Sequence, residues 1–363
     1  MQIGILRETA DQRVALAPTT VKKLVALGHG ILCSKGAGLN SNFLDQAYVE
    51  AGAILAERRE VLTKSDLIIC IRPPEDSDLS QIPAGRTLIG LFAPYQDQEI
   101  TKVLESRQLR AFSLDMVPRS SLAQSMDVLS SMASIAGYRA VLLAAQHLPR
   151  YFPMMITAAG TIKPAKVLVL GAGVAGLQAI ATAKRLGAQV EASDVRLAAK
   201  EEVESLGAKF IQVEGANEDA AAGGYAVAQS DDFLARQRAE VQRRAAAADV
   251  VITTAQVRGR QAPTLLPTST VDLMRSGSVV VDLAADTGGN CEITQAGKTI
   301  QHNGVTIIGD SNLAAGLPED ASTLFSNNVF NFLKLFQGAD GWTIHKGHEI
   351  LAAAYITPNL PFE

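Results

Sequence analysis

The chain has 363 residues, with 33 Lys plus Arg against 37 Asp plus Glu and a formal net charge of −4. That length predicts two domains with full cores, at about 100–200 residues each. The basic residues form no block or aromatic-interleaved stripe, which argues against nucleic acid as a partner.

The opening "MQIGILRE" reads as a strand from the first residues, with no signal peptide visible. Short β-branched runs then alternate with helical stretches, the pattern of parallel α/β sheets. In the first half "QIGIL", "GILCS", "DLIICIR" and "RTLIGL" read as strands. Between them "TTVKKLVALGH" and "DQAYVEAGA" carry helical spacing, with Thr19 or Thr20 placed to cap the first helix. The segment "RSSLAQSMDVLSS" (119–131) reads as a helix start. Ser121 and Gln124 have capping-box spacing, and Asp127 sits in the first turns, where negative charge suits the helix dipole. A long helical stretch over 134–152 ends near Pro149 and Pro153.

A second series follows: "KVLVLG", "AQVEASD", "KFIQV", "DVVITTA", "SVVVDLA" and "VTIIGD", enough strands for a full dinucleotide-binding domain. The late segment "STLFSNNVFNFLKLF" (322–336) reads as an amphipathic helix with no strands of its own, crossing back onto the first domain. The expected fold is therefore α/β, two doubly wound parallel-sheet domains joined by long helices. Residues 1–130 plus 325–363 make the first, and 131–324 a Rossmann domain. The Gly/Ala/Asp-rich stretch 213–232 is either a lid or a loose connector. The most apolar window, 167–183, falls just short of the roughly 18 residues that span a bilayer and holds three glycines, so a soluble chain is expected. Cys33, Cys70 and Cys291 stand far apart without a CxxC, which points to reduced, packed thiols and to no metal site.

The strongest motif is "GAGVAG" (171–176), right after one predicted strand and before a helix. Gly171 allows the tight turn, Gly173 lets backbone approach a pyrophosphate, and Gly176 permits close helix–strand packing. Ala172 and Val174 complete the turn, and the helix start offers free N–H groups to phosphate. Asp194 ends the next strand and has the ribose-binding position, with Val195 and Arg196 beside it. A carboxylate there accepts from ribose hydroxyls and repels a 2′-phosphate, so NAD(H) is expected over NADP(H) despite Arg196.

Dehydrogenases that oxidise an alcohol or amine need a group to take a proton. The five histidines, His29, His147, His302, His345 and His348, lie at helix ends, in turns or in a polar tail, and read as surface or capping residues.

Residues 1–53 resemble the opening of alanine dehydrogenases and of the NAD(H)-binding domain I of proton-translocating NAD(P) transhydrogenases, which share one fold. Alanine dehydrogenases carry a lysine in a "KVKEP"-like strand end and a histidine in the next strand. Here Arg72 stands in "CIRPPED" and "LIGLFAPYQ" has no histidine. The segments 119–141, 154–188, "GGYA" (223–226), "VDLAADTGGNCE" (281–292) and 324–336 are similar to the transhydrogenase specifically. That resemblance implies direct hydride transfer between two nicotinamides, which needs positioning rather than an acid or base. It further implies that Arg119, Gln124, Asp127 and Ser130 contact the nicotinamide nucleotide, with Gly224 and Tyr225 on a mobile loop and Gln237 following it. It implies an NADP(H)-binding partner domain, membrane-spanning subunits, a homodimer, and a cytoplasmic place at the inner membrane. One departure is "QVRGRQAP" for the family's "LIPGKPAP", which puts Gln256 at an apolar adenine-side position and Arg258 and Arg260 where a proline and a lysine are usual. An alanine-dehydrogenase-type enzyme and a non-catalytic NAD(H) sensor are the alternatives.

Overall fold

The apolar runs near the N-terminus form six short strands: β1 (Gln2–Ile5), β2 (Gly30–Ser34), β3 (Ile54–Ala56), β4 (Leu67–Ile69), β5 (Thr87–Gly90) and β6 (Arg110–Ser113). They make one all-parallel sheet in the order β3-β2-β1-β4-β5-β6. The computed structural model describes residues 1–213, 231–310, 312–338, 341–342 and 348–361. It divides into two units, Met1–Met132 with Ala314–Glu363, and Ala133–Leu313.

Strands β3 and β6 are not marked by any pattern in the sequence. "ILA" and "RAFS" lack the continuous β-branched run that marks the other four strands. The first helix is Pro18–Ala26, and its N-cap is Ala17 without a side-chain cap. Neither Thr19 nor Thr20 caps it. Pro18 takes the first helical position, where its missing N–H costs nothing, and so places both threonines inside the helix.

The chain leaves the first unit within the helix Val128–His147, which ends before Pro149, and re-enters it at Ala314. The helix Pro318–Leu333 therefore belongs to the first unit as a whole, and not only from 325 onward. Its packing gives the reason. Phe325, Val329, Phe332 and Leu333 are fully buried in the first core, each contributing about 1.5–3 kcal/mol relative to exposure. Phe112 of β6 meets Phe332 and Phe336 edge-on, with ring centroids 6.0 and 5.1 Å apart. Ser322 and Ser326 accept the backbone N–H groups of Val14 and Ala17, both at 2.9 Å. These bonds tie the first twenty residues to a helix some three hundred positions later.

The second unit is built on β7 (Lys166–Leu170), β8 (Gln189–Ser193), β9 (Lys209–Phe210), β10 (Val250–Thr253), β11 (Val279–Asp282), β12 (Thr299–His302) and β13 (Val305–Ile308). The order is β9-β8-β7-β10-β11-β13-β12, parallel except for the β12–β13 pair. Strands β10, β11 and β13 are buried along their whole length, as expected of a sheet covered on both faces. The apolar window 167–183 is thus a strand, a turn and the helix Val174–Arg185.

The helix Val128–His147 is long and apolar enough to cross a membrane by length and composition alone. Its apolarity has a packing reason, since Ala140, Val141 and Ala144 are fully buried in the second core. At Gly137 the helix lies so close to the start of Val174–Arg185 that a Cβ would stand 2.1 Å from the Ala175 carbonyl oxygen. All three cysteines are free and buried.

Candidate functional site

In the second unit the turn after β7 is shaped by its glycines. Gly171 has φ +102°, a left-handed conformation that L side chains rarely adopt. A Cβ on Gly176 would sit 1.9 Å from the Gly171 carbonyl oxygen, so helix and turn can close only with glycine there. Gly173 is the N-cap of Val174–Arg185, and a Cβ on it would meet nothing within 4 Å. Ala172 is fully buried, whereas Val174 is half exposed at the helix start. The outcome is an open approach to the first N–H groups of a 12-residue helix, which is where an anionic group is stabilised.

Asp194 lies just past β8 and reaches back to this turn. Its Oδ2 accepts the Ala172 N–H at 2.7 Å, and its Oδ1 accepts the Arg196 N–H at 2.8 Å. The Arg196 side chain folds over the same carboxylate, with Nε 3.0 Å from Oδ1 and Nη2 3.2 Å from Oδ2, and donates to the Ala172 carbonyl as well. The Asp194 hydrogen bond holds the Arg196 guanidinium pKa above its ordinary value. Sequence spacing puts the two residues on one face; the structure goes further and pairs them. Val195 between them is largely exposed.

The loops after β10 and β11 are fastened to each other. Asp282, wholly buried, accepts five hydrogen bonds: Thr253 Oγ1 and Ala284 N on Oδ1, and Asn290 N, Cys291 N and Thr294 Oγ1 on Oδ2, at 2.8–3.0 Å. Asn290, also wholly buried, accepts the Ala255 N–H and donates to the Ala255 and Pro263 carbonyls. Gln256 is exposed, but its Nε2 donates to the Leu283 carbonyl at 2.5 Å, so its amide belongs to the same latch. Neither Asp282 nor Asn290 stands out as a functional residue in the sequence. The available signal was an aspartate ending a buried strand, followed by two glycines and an asparagine. Gly288 and Gly289 both take positive φ, which turns the loop so that its N–H groups point back at the carboxylate.

In the first unit, residues Ser121–Met126 form a 3-10 turn rather than the start of the long helix. The capping expected at Ser121 occurs instead at Asp127. Its Oδ1 accepts the Ser130 N–H at 2.9 Å and its Oδ2 the Ser130 hydroxyl at 2.6 Å, which is N-cap geometry for Val128–His147. A carboxylate is the stronger acceptor at a helix N-terminus, so it outcompetes the serine six residues earlier. The turn is anchored by buried Ala123 and Met126, and by Asn328 and Asn331, whose amides donate to the Ser125 carbonyl at 2.9 and 3.2 Å. Arg119 and Gln124 are exposed on this pinned turn. Among the described residues their side chains have no hydrogen-bond partner.

Gln237 is half buried on the helix Asp231–Ala246. Gly224 and Tyr225 lie outside the described residues. His302 pairs with Asp272 at 2.7 Å, and His147 contacts the Leu143 carbonyl at 2.9 Å. Arg72, at the position of the alanine dehydrogenase lysine, stands 3.4 Å from Asp11.

The description "Alanine dehydrogenase/PNT, N-terminal domain" matches residues 4–136, and "Alanine dehydrogenase/PNT, C-terminal domain" matches residues 140–359. The chain belongs to the alanine dehydrogenase/PNT family. It is similar both to transhydrogenases, at 41–43% identity, and to an alanine dehydrogenase, at 27%. The NAD(P) transhydrogenase subunit alpha of Haemophilus influenzae is 43% identical, over 92% of this chain and 66% of the relative. That of Cereibacter sphaeroides is 41% identical over 98% of this chain and 70% of the relative. The crystal structure of transhydrogenase from Sinorhizobium meliloti superposes with a TM-score of 0.90 at 41% identity, covering 98% of both chains. The alanine dehydrogenase of Methanococcus maripaludis is 27% identical over 92% of this chain and 86% of the relative.

Family membership makes the chain a component of the transhydrogenase type within an oxidoreductase family. The residues around the fingerprint turn fit a dinucleotide: an open helix start for the pyrophosphate, and a carboxylate bonded to the turn for the ribose. The match spans Gln256, Arg258 and Arg260 as well, so the departure there changes side chains within a kept fold.

Proposed function

We propose that the chain is the NAD(H)-binding component of a proton-translocating NAD(P) transhydrogenase, passing hydride from NADH to NADP+ held on a partner domain. Membrane-spanning partner subunits would carry the proton movement, with this chain on the cytoplasmic face of the inner membrane. The observation that carries this reading is the presentation of Gln124 and Arg119 without partners among the described residues, on a turn fixed by Asn328 and Asn331. A group that orients a ring needs free donors and acceptors on a rigid support.

NADH, when bound, supplies the hydride. The Gly173–Val174 helix start would hold its pyrophosphate, and Asp194 would accept from ribose hydroxyls in exchange for the Arg196 Nε and Nη2 contacts. A 2′-phosphate in that position would meet the Asp194 carboxylate, which favours NAD(H). Gln124, Arg119 and the Asp127–Ser130 pair would fix the nicotinamide end. Hydride moves between two carbon atoms, so no heteroatom proton changes hands and the chain's task is orientation.

The test is an assay of the full chain with and without the NADP(H)-binding domain of a transhydrogenase, following reduction of an NAD analogue by NADPH. Turnover only with the partner is expected. Oxidation of alanine by this chain alone would overturn the reading in favour of an amino-acid dehydrogenase. NADH binding without turnover in either mixture would overturn it in favour of a sensor.

A homodimer is part of the proposal. The hairpin Met155–Thr157/Gly160–Ile162 is two strands of three residues, and such a hairpin is marginal by itself in water. It nevertheless exposes Met154 (56%), Ile156 (72%) and Ile162 (42%), with Tyr151 (55%) nearby in sequence. Light scattering should give a mass of twice the chain's 38.4 kDa. Ile156→Asp should shift the population to monomer without changing the melting of the isolated subunit, and a monomeric wild type would remove the dimer from the proposal.

A further inference from the structure

Register across the second sheet brings a residue from far along the chain to the fingerprint turn. Strands β7 and β10 pair in parallel, with Leu170 opposite Thr253. The ladder continues one step past the strand ends, where the Thr254 N–H donates to the Leu170 carbonyl at 2.9 Å. Successive side chains of an extended chain point to opposite faces. Thr253 accordingly turns to Asp282, at 2.9 Å, while Thr254 turns to the fingerprint. Its Oγ1 donates to the Gly171 carbonyl at 3.1 Å and more loosely to the Leu170 carbonyl at 3.4 Å. A Cβ on Gly171 would stand 2.5 Å from that hydroxyl, so the threonine occupies the room that this glycine leaves.

The peptide group between Gly171 and Ala172 is thereby held at both ends. Its carbonyl accepts from Thr254, and its N–H donates to Asp194 Oδ2 at 2.7 Å. The next two carbonyls are engaged as well, Ala172 by Arg196 Nη2 at 3.2 Å and Gly173 by the Leu177 N–H at 2.8 Å. Each carbonyl of "GAG" thus has its own donor, while no side chain caps the helix start. The distinction matters because an anion is attracted by N–H dipoles and repelled by carbonyl oxygens. Gly171, lacking a Cβ, offers the least resistance to this peptide turning over. Arg196 shares its donors with Asp194, whereas among the described residues the Thr254 hydroxyl bonds only the Leu170 and Gly171 carbonyls.

We infer that Thr254 is a positioning residue for the pyrophosphate of the dinucleotide: its hydroxyl holds the Gly171 carbonyl away from the phosphates, so that they meet N–H groups and no carbonyl. The inference rests on the reading of this turn as the NAD(H) site. Without the hydroxyl the Gly171–Ala172 peptide is held at its N–H end alone, and a carbonyl turned inward opposes the anion that the helix start attracts. Asp194 keeps its bond from the Arg196 N–H, so the ribose acceptor stays in place.

Three substitutions separate the hydroxyl from the bulk around it. Thr254→Ser keeps the donor and loses only a methyl group. Thr254→Val keeps the shape and replaces the donor by a methyl group. Thr254→Ala removes the donor and adds no bulk, so it shows whether a loss in the valine variant comes from crowding of the Gly171 oxygen. Thr254 is half buried, and one lost hydrogen bond there predicts a melting temperature within about 4 °C of wild type for a unit of this size.

The experiment measures binding of NADH, ADP-ribose and adenosine to the full chain by calorimetry and saturation-transfer NMR, alongside thermal melting. Thr254→Ala and Thr254→Val should each weaken NADH and ADP-ribose by about tenfold, while adenosine, which has no pyrophosphate, binds as it does to wild type. Thr254→Ser should restore wild-type binding of all three. A threonine that merely supported the domain would lower adenosine and ADP-ribose binding together, and that result would overturn the inference. So would unchanged ADP-ribose binding in the alanine and valine variants, or a serine variant as weak as alanine. These outcomes sink the role of Thr254 and leave the NAD(H) site standing. A folded wild-type chain that binds neither NADH nor ADP-ribose would overturn the functional reading and this inference with it.

Discussion

Asp282→Ala is expected to lower the stability of the second unit by about 3–5 kcal/mol and to weaken nucleotide binding with it. The carboxylate is the common acceptor of three backbone N–H groups and two threonine hydroxyls; those of Asn290, Cys291 and Thr294 follow the turn at Gly288 and Gly289. Alanine leaves those donors around a site with no water-accessible surface, and each unsatisfied buried donor costs about 1–3 kcal/mol unless the loop rearranges. Rearrangement is the cheaper outcome, and it releases Asn290 from Ala255 and Pro263, so the loop carrying Gln256 loses its anchor. For a unit of this size the loss corresponds to a fall of roughly 10 °C in its melting temperature. Asn290→Ala should reproduce the loosening with a smaller loss of stability, since it removes three hydrogen bonds and leaves the Asp282 cluster intact. Calorimetric melting and an NADH titration check both variants. A melting temperature for Asp282→Ala within roughly 2–3 °C of wild type, on the order of 1 kcal/mol for this size, would mean that the latch does not hold the loop.

That latch also shows what sequence could not convey. The fingerprint at Gly171–Gly176 was legible because each glycine answers a local steric demand, a left-handed φ or a 1.9 Å clash, that fixed spacing encodes. Asp194 was legible for the same reason, at the end of the strand after the fingerprint helix. Asp282 and Asn290 also answer demands made by loops 27 to 35 residues away, and the local signal, an aspartate before two glycines and an asparagine, does not convey those long-range partners. The pairing of Arg196 with Asp194 lies between these cases, since the two share a strand face in sequence but nothing there says that the guanidinium would fold over the carboxylate. The same logic explains the misplaced helix start at 119–131. Ser121 and Gln124 have capping-box spacing, but a long-range anchor, the Asn328 and Asn331 amides on Ser125, holds this stretch as a 3-10 turn and hands the cap to Asp127. The return of the C-terminal helix was visible as an amphipathic stripe without strands to cover. Its early boundary at Ala314 was not, because it depends on Ser322 and Ser326 meeting the backbone of Val14 and Ala17.

Gln124→Asn is expected to leave NADH affinity within a few-fold of wild type while cutting hydride transfer to the partner by about 100-fold. The substitution keeps the amide and draws it back by one methylene, about 1.5 Å, and a misplacement of about 1 Å in a positioning site costs on the order of 100-fold. Gln124 is exposed and unbonded among the described residues, so stability should be unchanged and the effect falls on turnover alone. Asp127 needs a different design, because it caps Val128–His147 through Ser130. Asp127→Ala would lose about 1 kcal/mol of helix capping and confuse the two roles. Asp127→Asn keeps the cap through its amide oxygen, since asparagine caps as well as aspartate does, and removes the charge and the second acceptor, so that the Ser130 hydroxyl turns to accept from the amide NH2. If Asp127 serves the helix alone, the asparagine variant should match wild type in both melting and turnover. If it also orients the nicotinamide nucleotide, melting should hold while transfer falls by about tenfold or more, and the two measurements together decide whether the cap and the clamp are one residue.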